Sequence, residues 1–280
     1  IFLLLPFLFN YNFIFYETTN NNIFLLKFLI IKEIQTINSL KKLQKDEFIV
    51  HHHLGLGDHI ICNGLVNFIS KKYKKIYLVT NSIFKDQVDY LYQINNRVEI
   101  LPVDVKSVNN AEDAVKDFAM KKKLQILKIG FEEEKKINKP FYKAFYKQLN
   151  INYKISYSDF NLPFNQKDEV NLSKILFKKF NVKNSRYLLF HNEASDNKFQ
   201  LNIQSNLPVI SLSQDYDDQN NIFLYRDIIK NASEIHCINS SFLHLIDRIE
   251  TNGRLFYHNI RGSKIKLRKK WRVLTYGNRN

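Results

Sequence analysis

From Glu47 onward the apolar positions of the chain switch repeatedly between a strand-like run and a helical period. Residues 48–53 (FIVHHH) form an apolar run fit for a buried strand, and a glycine turn, GLGD at 55–58, follows at once. Ile60, Ile61, Leu65, Phe68 and Ile69 then recur at helical spacing. The same alternation predicts strands over 75–80, 98–104 and 124–131, with helices over 82–93 and 111–122 between them. A helix over 137–150 leads into an irregular stretch holding Pro163, and the alternation restarts beyond it. Helices over 169–180, 222–232 and 240–250 are interleaved with strands over 187–191, 208–213, 234–239 and 254–258.

Strands alternating with helices imply parallel sheets. The expected fold is therefore α/β, with two Rossmann-like domains facing a cleft: 47–160 as the amino-terminal domain and 161–280 as the carboxy-terminal domain. In such folds ligands sit beyond the carboxyl ends of the strands, where the strand order reverses. Residues 1–46 are set apart as an extension. Their Phe, Ile, Leu, Asn, Lys and Tyr are what AT-rich codons encode, and Asn10, Tyr11, Asn12 and Lys27 interrupt the apolar runs. No signal-peptide pattern stands at 1–16, and a span of about 20 apolar residues is not reached. That leaves translated upstream sequence, an ordered extra element or, least in keeping with the interruptions, an anchor.

Composition narrows the class. The 280 residues are 45% hydrophobic and 25% charged, a globular balance that excludes a disordered chain or a coiled-coil rod. Two cysteines, Cys62 and Cys237, lie far apart in apolar runs, which offers neither a disulfide framework nor a cysteine zinc site and makes a reducing cytoplasm the expected compartment. The net charge is +15, and Arg261, Lys264, Lys266, Arg268, Lys269, Lys270, Arg272 and Arg279 supply eight of those cations with no acid among residues 261–280. This reads as a basic tail, a non-specific patch or an electrostatic contact to anionic lipid, and no specific nucleic-acid partner is expected.

Chemistry is concentrated in two places. In HHHLGLGDHIICNG, Gly55 and Gly57 allow a tight turn and close approach of backbone to a ligand, while Asp58 and His59 open the helix. Asp58 suits two roles: a helix cap, or a base that takes a proton from a hydroxyl. In EIHCINSSFLHL (234–245) a strand runs into Asn239, Ser240 and Ser241 at a helix start, an arrangement that suits a diphosphate, with His244 one turn on as a further donor or cation. An ordinary Asn/Ser cap with a half-buried histidine reads the same segment equally well. His51, His52 and His53 alternate sides along a strand, so at most two share a face and no metal site is expected. One or two histidines lining the cleft fit better, with His53, His59 and His191 as candidates.

GLGDHIICNGLVNFISKKYKKIYLVTN and LYRDIIKNASEIHCINSSFLHLIDRI together resemble the two signature segments of the heptosyltransferase-like glycosyltransferases, glycosyltransferase family nine. The resemblance covers about a third of the chain. It implies a GT-B fold and an inverting, metal-independent transfer from a nucleotide-sugar donor to a glycan or lipid-linked acceptor of the cell-envelope kind, without a cofactor, in the cytoplasm or at the inner face of the membrane. The family's glycine-Asp turn falls on Gly57 and Asp58, making Asp58 the base, and its phosphate turn and histidine fall on Ser240, Ser241 and His244. Asn239 stands where the family carries an acid. HNEASDNKFQ replaces its lysine-bearing segment, with Lys198 as the stand-in. Two further readings stay open: a GDP-sugar, fucosyltransferase-like enzyme of the same fold, and a non-catalytic nucleotide- or polyanion-binding protein.

Overall fold

The computed structural model describes residues 35–105, 108–131, 141–183, 186–194, 197–212, 221–263 and 265–276. Two five-stranded, wholly parallel sheets organise them. The first contains β1 (Thr36–Ile37), β2 (Glu47–His51), β3 (Lys75–Asn81), β4 (Val98–Val103) and β5 (Gln125–Lys128), in the order β1-β5-β2-β3-β4. The second contains β6 (Leu188–His191), β7 (Val209–Ser211), β8 (Glu234–Ile238), β9 (Arg254–Asn259) and β10 (Trp271–Thr275), in the order β10-β9-β8-β6-β7. In each sheet the chain runs outward from its first long strand and later returns to that strand's other side. The order thus reverses between β2 and β5, and between β6 and β8, which marks the carboxyl ends of these strands as the ligand-binding positions.

The helices are α1 (Leu56–Ser70), α2 (Lys85–Tyr92), α3 (Val108–Lys122), α4 (Ala144–Gln148), α5 (Ile155–Ser158), α6 (Gln166–Lys179), α7 (Arg226–Asn231) and α8 (Ser241–Ile246). Central strand β2 carries Phe48, Ile49 and Val50 fully buried, because both faces of its sheet are covered. Ile49 packs with Ala111, Val115 and Ala119 of α3, while Phe48 and Val50 join an apolar cluster with α1, α2 and the second half of the chain. The second sheet differs. Leu189, Ile235, Cys237, Leu255 and Tyr257 face α6, α7 and α8, whereas the opposite face carries no described helix. There His236 stacks on Phe256 at 4.3 Å and shares a 2.9 Å hydrogen bond with His258, which in turn meets the Tyr276 hydroxyl.

Two stretches depart from the expectation. Residues 1–34, most of the predicted extension, lie outside the described residues, but Thr36 and Ile37 pair with Ile126 and Leu127 of β5. The Gln125 side chain holds that edge: its carbonyl accepts Gln44 N–H at 2.7 Å, and its amide donates to Gln35 Oε1 at 2.8 Å and to the Lys42 carbonyl. The basic tail is likewise no tail through residue 276. Trp271–Thr275 pairs along its whole length with β9, and Ile265, Leu267 and Trp271 pack against the core.

Asp247, at the end of α8, explains why. Its buried carboxylate accepts the backbone N–H groups of Arg268 (2.9 Å) and Lys269 (3.0 Å), the Trp271 indole N–H (2.9 Å) and the Tyr157 hydroxyl (2.9 Å). A cluster of lysines and arginines suggests solvent, but here only the side chains of that run are free to reach it; the backbone is captured by a carboxylate. Neighbouring Arg248 fastens the same seam, donating to Ser156 Oγ at 2.5 Å and to the His244 carbonyl at 3.0 Å, with its guanidinium over the Tyr157 ring.

Replacing Asp247 by Ala removes the acceptor of three part-buried N–H donors, at ~1 kcal/mol or more each. Urea unfolding is expected to show a loss of about 3 kcal/mol or more, with early proteolysis after Ser263; a variant as stable as the parent sinks this account. Acid provides a second check. Burial holds His52 and His244 at about 3 and His51 and His258 at about 4, against about 6.5 in the unfolded chain. The unfolded state therefore binds more protons in this window. Stability is full above about pH 6.5 and falls as pH drops toward 4. Denaturant titrations at stepped pH should show more than one proton taken up on unfolding.

Candidate functional site

α1 begins without a side-chain cap, since Gly55 has none to offer and adopts an extended backbone. Asp58 occupies the third helical position, half-buried, with its carboxylate folded back over the turn: a Cβ on Gly55 would lie 2.9 Å from Asp58 Oδ2. A side chain at 55 would have to displace the carboxylate, and the acid sits where the helix dipole favours negative charge. α8 also begins uncapped. Ser240 stands at its N-cap in extended conformation, yet its hydroxyl contacts the Ile238 carbonyl (3.4 Å) and Cys237 Sγ (3.7 Å) and makes no bond to the first helical turn.

These two helix starts face each other. A Cβ on Gly57 would lie 3.6 Å from His244 Cδ2 and 3.8 Å from the Ser241 Cα. Two segments almost 190 residues apart are thereby in contact at the carboxyl ends of β2 and β8, beside both strand-order reversals. Ser241 is half-buried, and His244 is 7% exposed with its titration pushed down to about 3 by desolvation first and Arg248 second. His244 is therefore neutral at pH 7 and can donate a hydrogen bond but not a positive charge. Of the two roles read from the sequence, donor or cation, burial favours the neutral donor.

The other predicted residues fall in different surroundings. His191 ends β6 with its ring nitrogen donating to the Leu212 carbonyl at 2.9 Å and its face on Phe242 of α8 at 4.6 Å, so it lines the second reversal point from below. His53 is half-buried between Phe131 and Phe145, just after β2. His51 shares the Phe131 contact, whereas His52 turns the other way to pack on His59 at 4.5 Å. His59 corrects the expectation of a cleft residue. It is fully buried, neither ring nitrogen has a hydrogen-bond partner, and desolvation pushes its titration well down. One turn beyond Gly55, it shares the inward face of α1 with Ile60 and Asn63. Lys198 is exposed and paired to Glu193 at 2.6 Å across a single antiparallel bridge, and Asn239 turns its amide to Ser263 Oγ at 3.1 Å.

That last bond brings in a loop the sequence reading gave to the tail. Ser263 follows Gly262, whose φ of +62° lies in the left-handed region that favours glycine, and Arg261 precedes it two residues beyond β9. Asn63 was also passed over. Fully buried, its carbonyl oxygen accepts Asn161 N–H at 2.8 Å and Asn67 Nδ2 at 3.1 Å, fixing the crossover between halves on α1. Its signal was a polar residue amid an apolar helical stripe. A cavity of about 590 Å³ lies at the opposite end of the second sheet, lined by Arg186, Gln204, Ser205, Asn206, Leu207, Glu234 and Arg254. It lies at the amino-terminal ends of β8 and β9, where this fold class does not place its ligands, so geometry favours the helix starts as the site.

The fold defined by two parallel α/β sheets meeting at these helix starts is shared with a solved structure. The chain is similar to the crystal structure of the glycosyl transferase family 9 from Veillonella parvula DSM 2008, with a TM-score of 0.55, 9% sequence identity, and coverage of 86% of this chain and 88% of that one. At that identity the likeness is one of fold. No protein-family model and no curated protein matches the sequence.

Gly57 tests the meeting of the two halves. Alanine there makes only ordinary contacts, so Gly57→Ala should leave the thermal midpoint within a degree or two. Gly57→Val adds two methyl groups against His244 and the Ser241 backbone, and is expected to cost about 1–3 kcal/mol. Equal midpoints for the two variants in differential scanning calorimetry count against the contact.

Proposed function

We propose that this chain is a glycosyltransferase that moves a sugar from a nucleotide-sugar donor to a glycan or lipid-linked acceptor, without a metal. The observation that carries the reading is the contact between the uncapped start of α1, bearing Asp58, and the uncapped start of α8, bearing Ser240 and Ser241. The likeness of fold to a family 9 glycosyl transferase supports it, as do the two sequence segments that resemble that family.

In this reading the donor diphosphate lies against the first turn of α8, where backbone N–H groups and the Ser241 hydroxyl favour an anion. Asp58 takes the proton of the acceptor hydroxyl. The acceptor oxygen attacks the anomeric carbon as the bond from that carbon to the diphosphate oxygen breaks, inverting the centre. Negative charge that builds on the leaving diphosphate is met by the α8 amides and by neutral His244 as a hydrogen-bond donor, an interaction stronger in the transition state than in the ground state. Gly57 lets the α1 turn pack directly on His244 and Ser241, and Gly55 leaves the Asp58 carboxylate room to fold over the turn.

A thermal-shift titration of the chain with UDP, GDP, ADP and CMP, without metal, is the test. One nucleotide should raise the midpoint in proportion to the logarithm of its concentration over its affinity, and a Ser240→Ala/Ser241→Ala double variant should lose the effect. The preferred base also decides between a GDP-sugar and another donor. With the matching sugar nucleotide, Asp58→Asn should bind as the parent does and turn over roughly 100-fold or more slowly. Absence of any nucleotide binding overturns the donor assignment. An Asp58→Asn variant that merely unfolds, or that turns over normally, makes Asp58 a cap.

A further inference from the structure

We propose that the ordered segment from Ile265 through Val273 is a docking surface for an anionic lipid bilayer. Exposure alternates along it: Ile265, Leu267, Lys269 and Trp271 are half-buried, and Lys266, Arg268, Lys270 and Arg272 are exposed. The inward set is anchored. Ile265, Leu267 and Trp271 join the core, and Lys269 donates to Thr251 Oγ1 at 2.8 Å and to the Ile249 carbonyl. None of these four exposed cations forms an ion pair with a described carboxylate, and the Arg268 guanidinium lies over the Tyr157 ring at 5.4 Å.

Order distinguishes this stripe from a floppy basic tail. The Asp247 carboxylate holds the backbone at Arg268 and Lys269, and the Tyr142 hydroxyl of the first half accepts Lys266 N–H at 2.6 Å. The cations are thus presented together on a fixed edge and do not have to be gathered when a partner binds. β10 is the edge strand of the second sheet, which puts Arg272 at the sheet's border. A row of fixed cations suits the anionic headgroups of a bilayer. Nucleic acid is less well served. The aromatic residue of the stripe, Trp271, is turned inward with its N–H on Asp247, so it offers no ring on which a base can stack. No described helix is long and apolar enough to cross a membrane, so the contact proposed is peripheral. It does not depend on the transferase reading.

Co-sedimentation of the full chain with vesicles tests it. Vesicles of phosphatidylcholine with phosphatidylglycerol should retain the protein at low salt and release it at high salt, and phosphatidylcholine alone should retain little. Each Lys or Arg near an anionic surface is worth about fivefold in partitioning, so the quadruple variant Lys266→Gln, Arg268→Gln, Lys270→Gln, Arg272→Gln should bind several hundredfold more weakly. Its thermal midpoint should match the parent, because the anchoring bonds use backbone groups. Lys270→Glu with Arg272→Glu provides a smaller change with the same expected direction, and neutralising Lys167, Lys174 and Lys178 on α6 should leave binding intact. The proposal is overturned if the quadruple variant binds like the parent, if binding is indifferent to salt and lipid charge, or if duplex RNA at equal salt outcompetes the anionic vesicles.

Discussion

The buried carboxylate of Asp247 is the constraint on which the rest of the molecule depends. It accepts two backbone N–H groups, an indole N–H and a phenol hydroxyl, from two distant parts of the chain. A charge in the interior is costly unless such donors surround it. Here the donors are the means of assembly. Arg268, Lys269 and Trp271 bring the last strand of the second sheet into place, and Tyr157 belongs to the first half. Neighbouring Arg248 repeats the pattern toward Ser156 and Tyr153. The sheets thus meet along a polar seam with fixed geometry, and the starts of α1 and α8 inherit their separation from it.

Fold class was legible because burial on both faces writes itself into composition. Strands such as β2 and β3 are continuous apolar runs, and glycine or serine turns punctuate the passage to each helix. What was not legible is equally physical. β10 hides among lysines and arginines because its stability comes from backbone pairing to β9 and from Asp247, and neither leaves an apolar run to read. β1 consists of two residues whose pairing depends on one distant glutamine, Gln125. The helix expected over 222–232 begins as a tight turn at Ile222–Tyr225 before α7, where Asn221 caps the turn. That boundary is set by a local side chain more than by periodicity.

The candidate site was legible in its parts and not in its arrangement. Glycines before an acid, and serines before a histidine, are short-range patterns of helix starts, so the residues could be named without knowing that they meet. Their contact depends on Gly57 having no side chain and on the seam that positions α8. Histidines were harder to place. His59 and His53 stand six residues apart on either side of one turn; helical phase buries the first, and the second, just past β2, is half-buried between Phe131 and Phe145. His244 lies in the first turns of α8, and its neutrality follows from burial, which a linear reading cannot supply.

Access to such a site follows from how the seam is held. Separating the halves there would break the Tyr157–Asp247 bond, the Arg248–Ser156 bonds and the Tyr142–Lys266 bond, several of them to charged groups worth ~1.5–3 kcal/mol each. It would also expose part of an apolar cluster that runs through both halves. By contrast, Gly55 is exposed and the half-buried Asp58 lies directly over it. Local rearrangement of the α1 turn costs less than opening the seam. The exposed approach to Asp58 therefore lies over the Gly55 turn, with the halves staying fastened on the Asp247 side.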